Sequence, residues 1–129
     1  MQMRMANLNA SDIKTFVGSK DYEVSRDFYV AIGFKLNFDA GDIAELELGN
    51  CRFYLQDFYQ RQWCENSMLH ITVEDAEAWY QHVASVLKRR KYGAARTREP
   101  AEQPYGALVT HVWDPVGVLL HFAQPLNLE

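Results

Sequence analysis

The sequence predicts one α+β domain built from two tandem βαβββ modules, and three observations support this fold class. Two stretches with a helical apolar face are each followed by segments in which apolar and polar residues alternate, as in half-buried strands. An aspartate that fits a helix N-cap precedes each helix, Asp21 in the first half and Asp75 in the second. The order strand, helix, strands restarts after 75 − 21 = 54 residues, which indicates an internal repeat.

The first module is expected at about residues 12–57. Its helix follows Asp21 and ends at Gly33, a residue type that favours helix C-termini. A lone βαβββ unit would leave one sheet face and one sheet edge uncovered, so a second unit is needed to pair with it. The predicted strands of this module cover residues 13–19, 34–38, 44–48 and 52–56.

Residues 58–66 are expected to form a linker, in which Phe58, Tyr59 and Trp63 lie between polar residues. The second module is expected at about residues 67–124, with a helix after Asp75. The region from Gly93 to Gly106 is rich in charge, proline and small residues, and predicts one short irregular strand and a loop. The regular strands of this module are predicted over residues 69–73, 108–113 and 118–122.

Length and composition indicate one globular domain over residues 1–129. The chain has 129 residues, of which 48% are hydrophobic and 23% charged. The net charge is -4, and the short basic cluster Lys88–Lys91 ends a predicted helix, where cations meet the negative end of the helix dipole. We therefore expect no nucleic-acid partner.

The sequence also predicts a cytoplasmic protein. No apolar run approaches the length of a membrane span, so no membrane partner is expected. Residues 1–5 are not followed by an apolar segment of the kind found in signal peptides. The two cysteines, Cys51 and Cys64, form no CxxC pair and are expected to be free thiols in a reducing compartment.

Two groups of motifs resemble the vicinal oxygen chelate superfamily, which includes glyoxalase I, bleomycin-resistance proteins and extradiol dioxygenases. The segment Lys20–Tyr29, followed by Ile32-Gly33-Phe34, is similar to the first helix of that superfamily. Tyr105-Gly106, followed by Asp114-Pro115-Val116-Gly117, is similar to its closing hairpin. The resemblance covers about residues 13–124. It implies a curved mixed sheet that forms a cup, with helices on the outside.

The resemblance also implies four positions at which metal-dependent members bind a divalent ion. In this sequence those positions carry Lys14, Gln56, Met68 and His121. A lysine is normally protonated, and a thioether is too soft a ligand for magnesium, manganese or iron. His70 shares a strand face with Met68 and could add a second imidazole. We therefore expect no cofactor, and a divalent metal held by His70, His121 and Gln56 is the alternative.

Candidate ligand-binding residues are those that the resemblance would turn towards the cup. Trp63 either packs at the module junction or lines the mouth of the cup, and Tyr105 could close over a ligand. His111 is a weaker candidate, because a shift of one residue in register would place it on the outer face. No catalytic residue is identified. The candidates are His70, His121, Trp63, Tyr105, Gln56 and Phe16.

The function that the sequence favours is binding of a small, flat or aromatic molecule without a complete metal site, as the resemblance to bleomycin-resistance proteins implies. A metal-dependent lyase, isomerase or dioxygenase resembling glyoxalase I is the alternative. A third hypothesis is a structural or regulatory module whose cup is filled by its own side chains. A binding protein is favoured over an enzyme, and a homodimer with the cup at or near the subunit interface is expected.

Overall fold

The computed structural model describes residues 6–126, and this part of the chain contains nine strands and three helices. The expectation about a signal peptide concerns residues 1–5 and lies outside this range. None of the helices within residues 6–126 is long and apolar enough to cross a membrane. In chain order the elements are β1 (Phe16–Gly18), α1 (Tyr22–Ile32), β2 (Lys35–Asp39), β3 (Ile43–Leu48), β4 (Cys51–Gln56), α2 (Arg61–Asn66), β5 (Met68–Thr72), α3 (Ala76–Arg89), β6 (Arg96–Thr97), β7 (Ala101–Gln103), β8 (Ala107–Trp113) and β9 (Leu119–Pro125).

The strands form two sheets, one from each half of the chain. Sheet one has the order β1-β4-β3-β2, in which β1 pairs parallel with β4 and the other pairs are antiparallel. Sheet two has the order β5-β9-β8-β6, in which β5 pairs parallel with β9, and β7 also pairs with β8. Each half therefore follows the order βαβββ, with β6 and β7 sharing one place in the second half. This confirms the α+β fold class and the two modules.

The helix ends follow the local chemistry that the sequence indicates. The Asp21 carboxylate accepts a hydrogen bond from the backbone N–H of Val24 (3.4 Å), and the Asp75 carboxylate accepts one from Ala78 (2.9 Å). Gly33 ends α1 with φ at 121°, in the left-handed region that favours glycine. Both predicted N-caps and the predicted C-terminal glycine are thus confirmed.

The segment expected to be a linker contains the short helix α2. Its composition is mostly polar, and only Trp63 and Cys64 turn inward, with Cys64 fully buried. A Cβ atom at Gly18 would lie 2.7 Å from the Trp63 ring and 2.8 Å from Cys64 Sγ. This close approach means that α2 packs directly on β1, and only a glycine leaves room for it.

Two further strand predictions differ from the structure. The first strand is expected over residues 13–19, but β1 spans only Phe16–Gly18. The region from Gly93 to Gly106 contains two short strands, β6 and β7, where one irregular strand is expected. Residues 13–15 are polar or exposed, and they are not part of the pairing register with β4, which begins at Phe16.

Helix α1 packs on one face of sheet one, helix α3 packs on one face of sheet two, and the two helices contact each other. Trp79 of α3 stacks on Phe122 of β9, with ring centroids 4.3 Å apart. His82 Nε2 of α3 lies 3.1 Å from the carbonyl oxygen of Ile32 at the end of α1. Apolar side chains of both modules join in one buried cluster, which makes the two modules a single packing unit.

A buried hydrogen bond joins the modules at the turn between β8 and β9. The Tyr29 hydroxyl of α1 donates to Asp114 Oδ2 over 2.7 Å, and both side chains are fully buried. Asp114 Oδ1 accepts hydrogen bonds from the backbone N–H groups of Val116 and Val118, each at 2.9 Å. Burial raises the pKa of Asp114 to about 6, although these hydrogen bonds act in the opposite direction.

The raised pKa of Asp114 links folding to pH. Between the ordinary value of 3.8 and about 6, the folded chain binds a proton that the unfolded chain has released. The stability that this group contributes is therefore fully present below pH 3.8 and is lost as pH rises through about 6. The Tyr29 hydroxyl remains protonated throughout, because burial raises its pKa well above 10.

We predict that Tyr29→Phe lowers the free energy of unfolding by about 2 kcal/mol, because a buried carboxyl loses a donor that water cannot replace. Urea denaturation followed by circular dichroism measures this change. Tyr105→Phe is the matched control, since Tyr105 is 63% exposed, and it should leave stability within about 0.5 kcal/mol of the parent. Equal stability of the Tyr29→Phe variant and the parent would contradict the role assigned to this bond.

Candidate ligand-binding site

Each sheet has one face that the helices do not cover. Successive side chains of a strand point to opposite faces. In sheet one Val17 and Leu55 point into the core and are buried, so Phe16 and Tyr54 lie on the other face. In sheet two Leu120 and Phe122 are buried beneath α3, so His121 lies on the other face. We call these uncovered surfaces the open face of sheet one and the open face of sheet two.

Three aromatic side chains cross the open face of sheet one, and we call them the aromatic row: Phe16 on β1, Tyr54 on β4 and Phe38 on β2. The register pairs Phe16 with Tyr54, Tyr54 with Glu45, and Glu45 with Phe38. The ring centroids of Phe16 and Tyr54 are 5.3 Å apart, and those of Phe38 and Tyr54 are 6.2 Å apart. Phe16 and Phe38 are 46% and 44% exposed, so their rings can stack on another molecule.

Both glutamates of this face, Glu45 and Glu47, lie within ion-pair distance of a basic side chain. Glu47 accepts a hydrogen bond from Arg52 at 2.9 Å. Lys14 Nζ lies 2.7 Å from an oxygen of Asp12, 3.9 Å from one of Glu45 and 5.6 Å from the centroid of the Tyr54 ring. The hydrogen bond to Asp12 raises the pKa of Lys14, so the amine stays charged. The open face of sheet one therefore presents apolar rings beside paired glutamates, and exposed Lys35 lies at its edge on β2.

Three histidines cross the open face of sheet two, and we call them the histidine row: His70 on β5, His121 on β9 and His111 on β8. The register pairs His70 with His121 and His121 with His111. The ring centroids of His70 and His121 are 6.4 Å apart, and those of His111 and His121 are 4.9 Å apart. The structure therefore brings together His70 and His121, and it adds His111 on the same face.

The imidazoles of His111 and His121 favour the neutral state. Burial lowers the pKa of both groups. The positive charge of Arg98 lowers the pKa of His111 further, and neighbouring His70 does the same for His121. Arg98 Nη2 lies 3.5 Å from His111 Nδ1. At neutral pH these two rings are thus uncharged groups that can both donate and accept hydrogen bonds.

Trp113 lies next to the histidine row and carries two arginines above its ring. The Trp113 and His111 ring centroids are 6.1 Å apart. The Arg96 Cζ atom lies 3.6 Å from the centroid of the Trp113 ring, and the Arg98 Cζ atom lies 5.4 Å from it. This end of the open face of sheet two is therefore both aromatic and positively charged.

The two open faces border each other at a small cavity. Arg52 of the open face of sheet one and His70 of the open face of sheet two both line a cavity of about 120 Å³. Ligand pockets for drug-sized molecules usually enclose roughly 300–1,000 Å³. The cavity within one chain is thus too small for such a molecule, and a ligand would have to lie across the open faces themselves.

Two larger clefts, of about 890 and 790 Å³, lie away from the open faces. Their aromatic rings are already engaged within the chain. In the larger cleft the Tyr22 hydroxyl donates to Asp39 over 2.6 Å, and Lys20 lies 5.5 Å from the ring of Tyr59. In the other cleft Trp79 is stacked against a core ring. The exposed rings of the open faces make a better candidate for ligand contact.

The remaining candidates from the sequence lie in three places. Gln56 pairs with Gly18 and lies on the open face of sheet one, two residues beyond Tyr54. Trp63 lies on α2, with its ring centroid 5.8 Å from that of Phe58, and packs against the core at the module junction. Tyr105 lies in the turn between β7 and β8, about 20 Å along the strand direction from His111 at 3.3 Å per residue.

Several residues of the open faces were not singled out from the sequence. His111 was only a weaker candidate, although the sequence holds a signal for it. In a hairpin centred on Val116, residues at equal distances on either side of Val116 face each other, and this places His111 opposite His121. No comparable signal points to Arg96 or Arg98, which lie on and just after a two-residue strand in a polar region. The residues that the sequence did not single out as ligand contacts are Phe38, Tyr54, Arg96, Arg98 and Trp113.

The donors at the four positions implied for a metal do not fit a complete site. Lys14 is held as a cation by Asp12. Met68 offers a thioether, and its Sδ atom lies 3.4 Å from His121 Nε2. Within residues 6–126, no group of three or more histidines, cysteines, aspartates or glutamates is placed to hold a metal ion. The alternative metal site of His70, His121 and Gln56 stays a prediction.

Comparison with known proteins identifies the fold. No protein-family model matches the sequence, and no curated protein matches it significantly. A bleomycin-binding protein solved in complex with bleomycin superposes with a TM-score of 0.74 at 20% identity, over 89% of this chain and 98% of the other. The bleomycin-binding protein of Streptomyces verticillus, solved with copper(II)-bleomycin, superposes with a TM-score of 0.72 at 20% identity, over 93% and 100% of the two chains.

A third solved structure is a glyoxalase/bleomycin resistance protein/dioxygenase from Nocardioides. It superposes with a TM-score of 0.71 at 15% identity, over 94% of this chain and 87% of the other. The chain has the glyoxalase/bleomycin-resistance fold. The fold that the sequence predicts is thus confirmed. Because the glyoxalase/bleomycin-resistance fold occurs in proteins of different activities, function has to be argued from the open faces.

We predict that Arg98→Gln raises the pKa of His111, because a positive charge next to the imidazole is removed. The pKa should remain below 6.5, since burial is the larger cause of the lowering. Titration of the histidine ring protons by NMR measures this directly. Arg89→Gln, at the exposed end of α3, is the control and should leave the His111 titration unchanged. An unchanged pKa in Arg98→Gln would show that the two groups do not interact in solution.

Proposed function

We propose that the protein binds a small planar or aromatic molecule across its open faces without the help of a bound metal. The observation that carries this proposal is the aromatic row, whose exposed rings lie on a sheet face that no helix covers. Solved structures with the same fold include proteins described as binding bleomycin, which supports a binding role. The alternative, a metal-dependent lyase, isomerase or dioxygenase, is less well supported because the donor set does not fit.

Equilibrium binding of planar aromatic compounds to metal-free protein tests this proposal. The panel should include bleomycin together with neutral, cationic and anionic ring compounds, and calorimetry should find at least one that binds more tightly than millimolar. Tyr54→Ala should weaken that binding by about tenfold, because loss of one stacked ring removes roughly 1–2 kcal/mol. Val30→Ala, on the exposed side of α1, should have no effect. Absence of binding across the panel would refute the proposal.

We further propose that the protein is a homodimer in which a second copy covers the open faces. Phe16, Phe38 and Met68 are 46%, 44% and 64% exposed, and completing the burial of such half-exposed side chains is worth roughly 1 kcal/mol each. The 120 Å³ cavity within one chain cannot hold a drug-sized ligand, whereas two open faces brought together could enclose one. Two-fold pairing is the commonest form of oligomer.

Light scattering at micromolar concentration tests the dimer. The expected mass is twice 14.9 kDa. Phe16→Asp should shift the mass towards that of one chain, since it places a charge in the middle of the proposed interface. Val30→Asp adds the same charge on the helical side and should leave the dimer intact. A parent protein with the mass of one chain would disprove this part of the proposal.

The proposed location is the cytoplasm. Cys51 is exposed and Cys64 is buried, and neither forms a disulfide in the described part of the chain. An exposed free thiol is typical of a reducing compartment. Neither a nucleic acid nor a membrane is part of the proposal. Both are large polyanionic partners that need a broad basic surface, and the chain has a net charge of -4.

A further inference from the structure

Arg96 and Arg98 both point onto the open face of sheet two. Arg96 pairs with Trp113 across β6 and β8, and Arg98 lies two residues further on, where its backbone N–H donates to the carbonyl oxygen of His111 over 3.4 Å. Residues two apart on an extended chain share a face. Both side chains are exposed, and Trp113 fixes their position from below.

Neither guanidinium has a carboxylate partner within residues 6–126. Four other arginines in this range do, each bound to an aspartate or glutamate: Arg26, Arg52, Arg61 and Arg90. Arg89 resembles Arg96 and Arg98 in making no ion pair there, but it lies at the free end of α3. The difference is that Arg96 and Arg98 are held above an aromatic ring, with donors left available for another molecule.

Within residues 6–126, no strand places an acidic residue on the open face of sheet two. The strand residues whose side chains share this face are, from β5, Met68, His70 and Thr72, from β9, Leu119, His121, Ala123 and Pro125, from β8, Ala107, Val109, His111 and Trp113, from β7, Ala101 and Gln103, and from β6, Arg96. None of these is an aspartate or glutamate. Glu99 follows Arg98 in the chain but forms no salt bridge within the described residues. The face therefore carries uncompensated positive charge.

The open face of sheet one has the opposite character. Its Glu45 and Glu47 are paired with Lys14 and Arg52, and it carries the exposed rings of Phe16 and Phe38. A molecule lying across both faces would meet rings on one side and two free guanidinium groups on the other. We infer that the ligand is a planar or aromatic anion, whose negative group binds Arg96 and Arg98. This inference rests on the proposed function and narrows it to one class of ligand.

The chemistry of the contact follows from the donors present. A guanidinium offers two parallel N–H donors to a carboxylate, sulfonate or phosphate, and such charge-assisted bonds are stronger than neutral ones. The His111 imidazole lies beside Arg98 and, being neutral, adds no charge there. Trp113 limits the freedom of both arginine side chains, so less conformational entropy is lost when the anion binds.

Two fluorescent probes with the same ring system test the inference. 1-Anilinonaphthalene-8-sulfonate is an aromatic anion, and N-phenyl-1-naphthylamine is the same molecule without the sulfonate. The anion should bind the intact protein at least about tenfold more tightly than the neutral probe. The double variant Arg96→Gln/Arg98→Gln should lose most of this preference, while its affinity for the neutral probe stays within about twofold.

Two further variants separate a specific contact from a general effect of charge. Arg89→Gln removes one positive charge elsewhere and should leave both affinities unchanged. Arg96→Lys/Arg98→Lys keeps the charge but loses the paired donors, so its preference for the anion should fall between those of the parent and the double glutamine variant. Circular dichroism verifies that each variant is folded, and the lysine variant serves as the test if the glutamine variant is not.

The outcomes distinguish this inference from the proposed function. If both probes bind equally well and the arginine variants change neither affinity, the protein binds aromatic molecules but the inferred anion site is wrong. An equal loss of anion binding in Arg89→Gln would also overturn the inference, because it would reflect net charge alone. If neither probe binds, the inference fails, and the compound panel decides separately whether the proposed function survives.

Discussion

The Tyr29 hydroxyl and the Asp114 carboxyl are 85 residues apart in the chain, yet their oxygens lie 2.7 Å apart in the core. The bond ties α1 of the first module to the β8–β9 turn of the second. The same carboxyl binds the N–H groups of Val116 and Val118, so it also fixes the shape of that turn. The shape of this turn sets the register of β8 against β9. The register then decides which side chains lie on the open face of sheet two. The positions of His111 and His121 therefore depend on the buried hydrogen bond between Tyr29 and Asp114.

The internal repeat places unlike chemistry on two equivalent lines of residues. A shift of 54 residues carries Phe16 to His70, and each of these pairs in parallel with the last strand of its own module, with Tyr54 and His121 respectively. The next strand then contributes Glu45 in one module and His111 in the other. The backbone framework is thus used twice, once to display apolar rings and once to display imidazoles. A ligand that spans both lines would be recognised by stacking on one side and by hydrogen bonds on the other.

The sequence predicts the fold well because its signals are local. Asp21, Asp75 and Gly33 act on the backbone within a few residues, and alternation within a strand identifies its buried face. Helix α2 is missed because only Trp63 and Cys64 turn inward, and two apolar positions are too few to show a helical period. The predicted length of β1 is too great, because the strand extends only as far as it pairs with β4, from Phe16 to Gly18.

The candidate site is predicted less completely, because it depends on pairing across strands. His70 and His121 come from a resemblance to known motifs, and the structure places them side by side. Arg96 and Arg98 follow a stretch with no regular pattern, and only their pairing with β8 puts them above Trp113. Trp63 was open to two interpretations, and its place beneath Gly18 favours the packing role. Register and tertiary contact, rather than residue type, decide these positions.

The alternation of side chains in sheet two separates two tasks by a single residue. Leu120 and Phe122 pack beneath α3, while the side chain of His121 between them lies on the open face. Replacing an exposed open-face residue such as Met68 removes little packing, so we expect the change to affect ligand recognition more than the stability of the fold. Such a surface can diverge freely over evolutionary time beneath an unchanged scaffold. The aromatic row and the histidine row are therefore suitable positions to randomise in libraries that select for binding of new ligands.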